Sequence, residues 1–212
     1  MLLRSSLTLA FAAVIANAAS VHYEIRPTGN SRLVLTVEKT GLMSGKKHLF
    51  LFERYVGTLS YDAASPERSR VDLSIEAASA VCKDTWVSEK DRNKIQEVAL
   101  RDMLAAETYP KLLFSSASVT RKGSNSFDVQ GMLTIRGIAK PATVSVVVHS
   151  LDERISSVAG QAIVRLKDYG LKPPSAVLGA IGTKNEMTVE FLLAPGVSPG
   201  SAERKPSEVK TP

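Results

Sequence analysis

The chain has a single cysteine, Cys82, which excludes an intrachain disulfide framework and any cysteine-rich zinc site. Histidine is almost as scarce. His22, His48 and His149 are scattered, and none stands in HxH or HExxH spacing, so each is expected to be a surface or structural residue. Aromatic residues make up 6% of the chain, with one tryptophan. No serine sits in a GxSxG elbow, and no GxxxxGK or GxGxxG glycine loop or internal repeat is present. The most apolar stretch, Leu7 to Ala19, has 13 residues, whereas a membrane-spanning helix needs about 20. These absences exclude a multi-pass membrane protein and nominate no catalytic site.

What is present is an ordinary globular balance. The 212 residues are 44% hydrophobic and 23% charged, enough for one sizeable core or two small ones. Lysine and arginine total 27 against 21 acidic residues, a formal charge of +6. A mild positive charge without interleaved aromatics is not a nucleic-acid footprint, so no nucleic-acid partner is expected. It suits peripheral contact with anionic lipid headgroups.

The two ends read differently from the middle. Arg4, an apolar stretch from Leu7 to Ile15 broken only by Thr8, and Ala16-Asn17-Ala18 form a secretory signal pattern. Residues 1–18 are therefore expected to be a signal peptide cleaved after Ala18, with Ala19 as the competing site. That predicts a periplasmic or secreted protein, in which Cys82 is expected to be buried and inert. Residues 195–212 contain four prolines, two glycines, serines and alternating charges, and are expected to be a disordered tail. The folded domain is then residues 21–194.

Within those limits the hydrophobic period is mostly two. Leu33, Leu35 and Val37 alternate with polar residues, as do Val71, Leu73 and Ile75. The same holds for Phe127 to Ile135, for Val144, Val146 and Val148, and for Met187, Val189 and Phe191. Each pattern is that of a half-buried strand. Leu49 to Phe52, Tyr55 to Tyr61, Leu112 to Val119 and Ala159 to Leu166 are further strand candidates. Turn sequences such as Lys122-Gly123-Ser124-Asn125 separate the runs at fairly even intervals.

One stretch departs from this plan. From Ser88 to Ala106, Ile95, Val98, Ala99 and Met103 fall at helical spacing, with Ser88 as the cap and Glu89 and Asp91 in the first turn. Tyr109-Pro110 ends it. The fold class is thus all-β with one helix inserted, a sandwich or an up-and-down barrel of about eight antiparallel strands. A barrel that size either fills its centre with side chains or leaves room for a small apolar ligand.

Several segments carry a resemblance. Gly131-Met132-Leu133-Thr134-Ile135-Arg136-Gly137-Ile138-Ala139-Lys140-Pro141 resembles the G-x-L-T-x-x-G-[VI]-x-K-P hairpin of the YceI-like family. The stretch from Asp102 to Pro110, followed by Leu112, Phe114, Ser115 and Ser116, is similar to that family's helix exit. Gly57-Thr58-Leu59-Ser60-Tyr61-Asp62 and Lys167-Asp168-Tyr169-Gly170-Leu171 are similar to two further motifs, in the same order. The resemblance covers residues 21–194. It implies a lipocalin-like antiparallel barrel, often exported, with no catalytic activity and with a long polyisoprenoid or related amphiphile held inside.

The chain departs from the family at polar positions. Glu38 or Lys39 replaces a histidine after the first long strand, and Leu166 stands where an arginine is usual. Headgroup preference is therefore not carried over, whereas the tunnel depends on alternation alone. Its expected lining is Leu35, Val37, Phe50, Phe52, Leu73, Ile75, Phe114, Val129, Leu133, Val146, Val189 and Phe191. Each buried methylene contributes roughly 0.8 kcal/mol, so ten give about 8 kcal/mol before ordering costs. The expected partner is a hydrophobic or amphiphilic lipid, an isoprenoid or quinone-like molecule, with no other cofactor. The alternative is a filled, ligand-free barrel acting as an envelope interaction module. Oligomeric state is left open, a homodimer included.

Overall fold

A computed structural model describes residues 20–151 and 154–198. The expected signal peptide and residues 199–212 of the expected tail lie outside the described residues. Every alternating run forms a strand. In chain order the strands are β1 (Val21–Ile25), β2 (Arg32–Gly41), β3 (Lys47–Phe52), β4 (Tyr55–Tyr61), β5 (Arg70–Glu76), β6 (Ala80–Cys82) and β7 (Lys111–Arg121). They continue as β8 (Ser126–Ile135), β9 (Ile138–Leu151), β10 (Arg154–Arg165), β11 (Ser175–Ala176), β12 (Ile181–Leu193) and β13 (Gly196–Val197).

The expected count of about eight strands is corrected to 13 among the described residues. The additional members are β1, β6, β11 and β13, of five, three, two and two residues. Segments that short carry too few alternations to declare themselves, and pairing with a longer neighbour makes them strands. β13 pairs with β1, so the sheet continues past the expected boundary at residue 194.

All pairings are antiparallel, in the order β13-β1-β4-β5-β7-β8-β9-β10-β12-β2-β3-β6, with β11 on β12. The sheet curls, because inward side chains of β1, β5, β8, β9, β12 and β3 all face one interior. Among the described residues no ladder joins β13 to β6, so closure relies on other bonds. The buried Tyr23 hydroxyl accepts from the Ile155 amide at 3.0 Å, tying β1 to β10, and Ser31 Oγ accepts from the Ala194 amide at 3.1 Å.

Two local devices bend the strands. Ser116 lies opposite Gly131 and Ser118 opposite Gln130, so Ala117 is an extra residue that switches β7's inward side from Phe114 to Val119. Ser156 does the same in β10. The second device is glycine under an aromatic ring. A Cβ on Gly131 would stand 2.8 Å from Phe114 Cζ, and one on Gly160 would stand 2.5 Å from Phe191 Cζ. Only a missing side chain lets these rings lie flat inside a tightly curved wall.

The mid-chain helix starts where expected. Ser88 caps α1 (Glu89–Glu97), its hydroxyl accepting from the Asp91 amide at 3.1 Å. From Val98 to Met103 the helix widens into π turns, and it ends three residues before the expected Ala106. Gln96 fastens α1 to the sheet edge. Its Oε1 accepts from the Cys82 amide at 2.6 Å, and its Nε2 donates to the Ala80 carbonyl at 2.5 Å. The exposed edge of β6 is thereby covered.

Candidate functional site

The curled sheet and the helix enclose a cavity of about 810 Å³. That is at the upper part of the range of small-molecule sites. All twelve residues expected to line a tunnel face it. Val37, Phe50, Phe52, Ile75 and Val129 are buried in the wall. Leu35, Leu73, Phe114, Leu133, Val146, Val189 and Phe191 point inward yet keep accessible surface, so what they expose is exposed to the cavity. The filled interior of the alternative reading is corrected by this geometry. Gly131 and Gly160 contribute no side chain to the centre, and the curved wall leaves open space within.

The profile described as the YceI-like domain matches residues 23–194. The chain belongs to the YceI-like family. Among curated relatives, a UPF0312 protein of Pseudomonas putida is 32% identical over 130 residues, 59% of this chain. One of Pseudomonas syringae pv. tomato is 29% identical over 128 residues, 58% of this chain. The matched stretches span 64% and 63% of those relatives' own lengths. Two solved structures share the fold. Burkholderia cenocepacia BcnA superposes with a TM-score of 0.61 at 20% identity, covering 77% of this chain and 94% of that one. A Campylobacter jejuni YceI protein gives 0.54 at 17% identity, covering 69% and 82%.

The sequence left several YceI-like cavity residues unnamed. Ile95, Val98, Ala99 and Met103 of the helical stretch form part of the lining, as do Met43 and Trp86 from loops. The helical spacing was the signal for the first four, because an apolar stripe must cover something. Nothing local marks Trp86 or Met43.

Polar groups gather where α1 meets the cavity. His48 is buried, with its Nδ1 2.5 Å from Asp84 Oδ2, and Asp84 Oδ1 accepts from the Leu49 amide at 2.9 Å. The imidazole stacks on Trp86 with ring centres 5.3 Å apart, and Trp86 Nε1 donates to the Lys47 carbonyl at 2.9 Å. This is a structural frame for the mouth of the barrel. His149 is exposed on the outer face of β9. No group of three or more metal-ligating side chains is present among the described residues.

Lys39 is the unusual charge. It continues the inward side of β2 beyond Val37, opposite Thr183, and lines the cavity half-buried. Burial pushes its ammonium below the usual lysine range. Among the described residues its ammonium has no hydrogen bond or ion pair. Glu38 points outward instead, between Lys184 at 2.5 Å and Lys47 at 3.2 Å, and hydrogen bonds from these two, Lys184 foremost, hold its carboxyl below the usual range. Cys82 is buried, and burial pushes its thiol up, so it stays protonated and a poor nucleophile.

Proposed function

We propose that this protein is an exported, non-enzymatic carrier that holds a long-chain polyisoprenoid or similar amphiphile in its barrel. The observation carrying this reading is the cavity of about 810 Å³ with its aliphatic and phenylalanine lining. Among the described residues its inward surface has no metal-ligating cluster and is mostly apolar, and burial of a chain there yields useful affinity without precise polar contacts. Export rests on the signal pattern of residues 1–18, and carriage, storage or sequestration follows from holding a lipid in an aqueous compartment. Lys39, half-buried and unpaired at the wall, is suited to pair with an acidic headgroup.

Native mass spectrometry with organic extraction tests this. Protein purified gently, or incubated with polyprenyl phosphate, polyprenol and a polyprenyl quinone, should carry one lipid adduct, and Val189→Trp should weaken it by obstructing the cavity. Protein at bare mass with all three lipids overturns the reading.

A further inference from the structure

The end of the barrel that carries α1 also carries an apolar tip. It is made of the β2–β3 hairpin and the segment leading into β12. The Leu42 amide donates to the Ala180 carbonyl at 3.0 Å and Gly41 lies opposite Ile181, so the two loops form one surface. On it Leu42 is 78% exposed, Val177 66% and Leu178 109%. Single exposed hydrophobics are common, but three on one rim are not explained by folding. Val177 and Leu178 are moreover held at φ 51, a left-handed backbone that β-branched and bulky residues rarely adopt. Glycine or asparagine would suit those positions better, so apolar side chains there answer to something outside the fold.

The charge around the tip is mainly positive. Residues 38–47 and 171–184 contain Lys39, Lys46, Lys47, Lys172 and Lys184 against one acid, Glu38, a balance of five minus one or +4. Met43, Ser175, Ala176 and Ile181 of the same loops line the cavity, so the tip is also part of its rim. No helix among the described residues is long and apolar enough to cross a membrane.

We propose that this tip docks on bilayers bearing anionic headgroups. Leu42, Val177 and Leu178 enter the interfacial layer while the lysines meet phosphates, and the cavity rim comes to rest against the lipid. The proposal draws on the carrier reading only for the purpose of docking.

The test is vesicle flotation with protein purified after export, using phosphatidylcholine vesicles with and without phosphatidylglycerol. Wild-type protein should float with the anionic vesicles, less so as salt rises. Leu42→Ser/Leu178→Ser should reduce partitioning by about tenfold or more, with unchanged Tm and unchanged lipid adduct by native mass spectrometry. No flotation of the wild type, or equal flotation of the double variant, overturns the proposal. A dimer by light scattering that the double variant splits, with flotation unaffected, also overturns it and marks the tip as a self-contact. Tip-dependent flotation by a protein that takes up no lipid upholds the docking surface and removes the carrier reading.

Discussion

The two ends of the barrel solve opposite problems. Antiparallel order puts the β4–β5 loop at one end and the β2–β3 hairpin, α1 and the approach to β12 at the other. At the first end the chain is tied down by its own polar groups. Asp62 Oδ1 accepts from the amides of Ala64 and Ser65 at 3.0 and 2.9 Å, Ser69 is buried with its hydroxyl accepting from the Asp62 amide, and Pro66 is buried below. Glu67 and Arg121 pair across it at 3.0 Å. At the second end the polar bonds frame an opening, through His48–Asp84, Trp86 and Gln96, and the outermost residues are apolar or cationic. One end is built to stay shut. The other keeps a desolvated lysine and exposed leucines that its own packing does not use.

The strongest way to break this contrast is to remove one polar clamp from each end. Gln96→Ala strands the Cys82 amide and the Ala80 carbonyl at the helix end, and should cost about 2 kcal/mol in urea unfolding. Loss of the clamp should also make the buried Cys82 more reactive to alkylation than in the wild type. Asp62→Ala at the shut end removes two backbone caps on a surface loop and should cost about 1 kcal/mol, with lipid uptake unchanged. Equal losses of lipid binding from both variants would erase the distinction between the ends.

A subtler effect concerns Lys39. Because burial lowers its pKa, the folded state binds its proton less tightly than the unfolded chain, and stability rises with pH between the two values. Lys39→Met removes that cost. It should raise Tm slightly while lowering affinity for an acidic-headed polyprenyl lipid severalfold, and leave a neutral polyprenol unaffected. Competition binding with the two lipids reads this out.

The smallest effect is at the carboxylates flanking each end. Glu38 and Glu67 both have depressed pKa values, Glu38 chiefly from its hydrogen bond with Lys184 and Glu67 from a backbone hydrogen bond and then Arg121. Their stabilising contribution is present above the unfolded carboxylate pKa and is lost as pH falls through the folded one. Both carboxylates are in contact with solvent, so added salt should move their NMR titrations back toward the usual range.

Much of this was legible in the residues. Leu33-Leu35-Val37 and Phe127 to Ile135 announce an inward face because a strand's side chains alternate, whatever it pairs with. Ser88 announces a helix start because an orphan amide needs an acceptor close by in sequence. The bulges at Ala117 and Ser156 were not legible, since an extra residue shows only against a partner strand. Nor was the frame around His48, whose partner Asp84 comes from a different part of the chain.

Sequence alone therefore determined the period-two walls, the helix that covers them, and a mostly apolar interior. These depend on local geometry and on the preference of aliphatic side chains to leave water. Tertiary structure decided that the walls stand apart around a cavity, that Lys39 is desolvated at its rim, and that Leu42 and Leu178 share one tip. Those are relations between distant segments, and only the curl and register of the sheet create them.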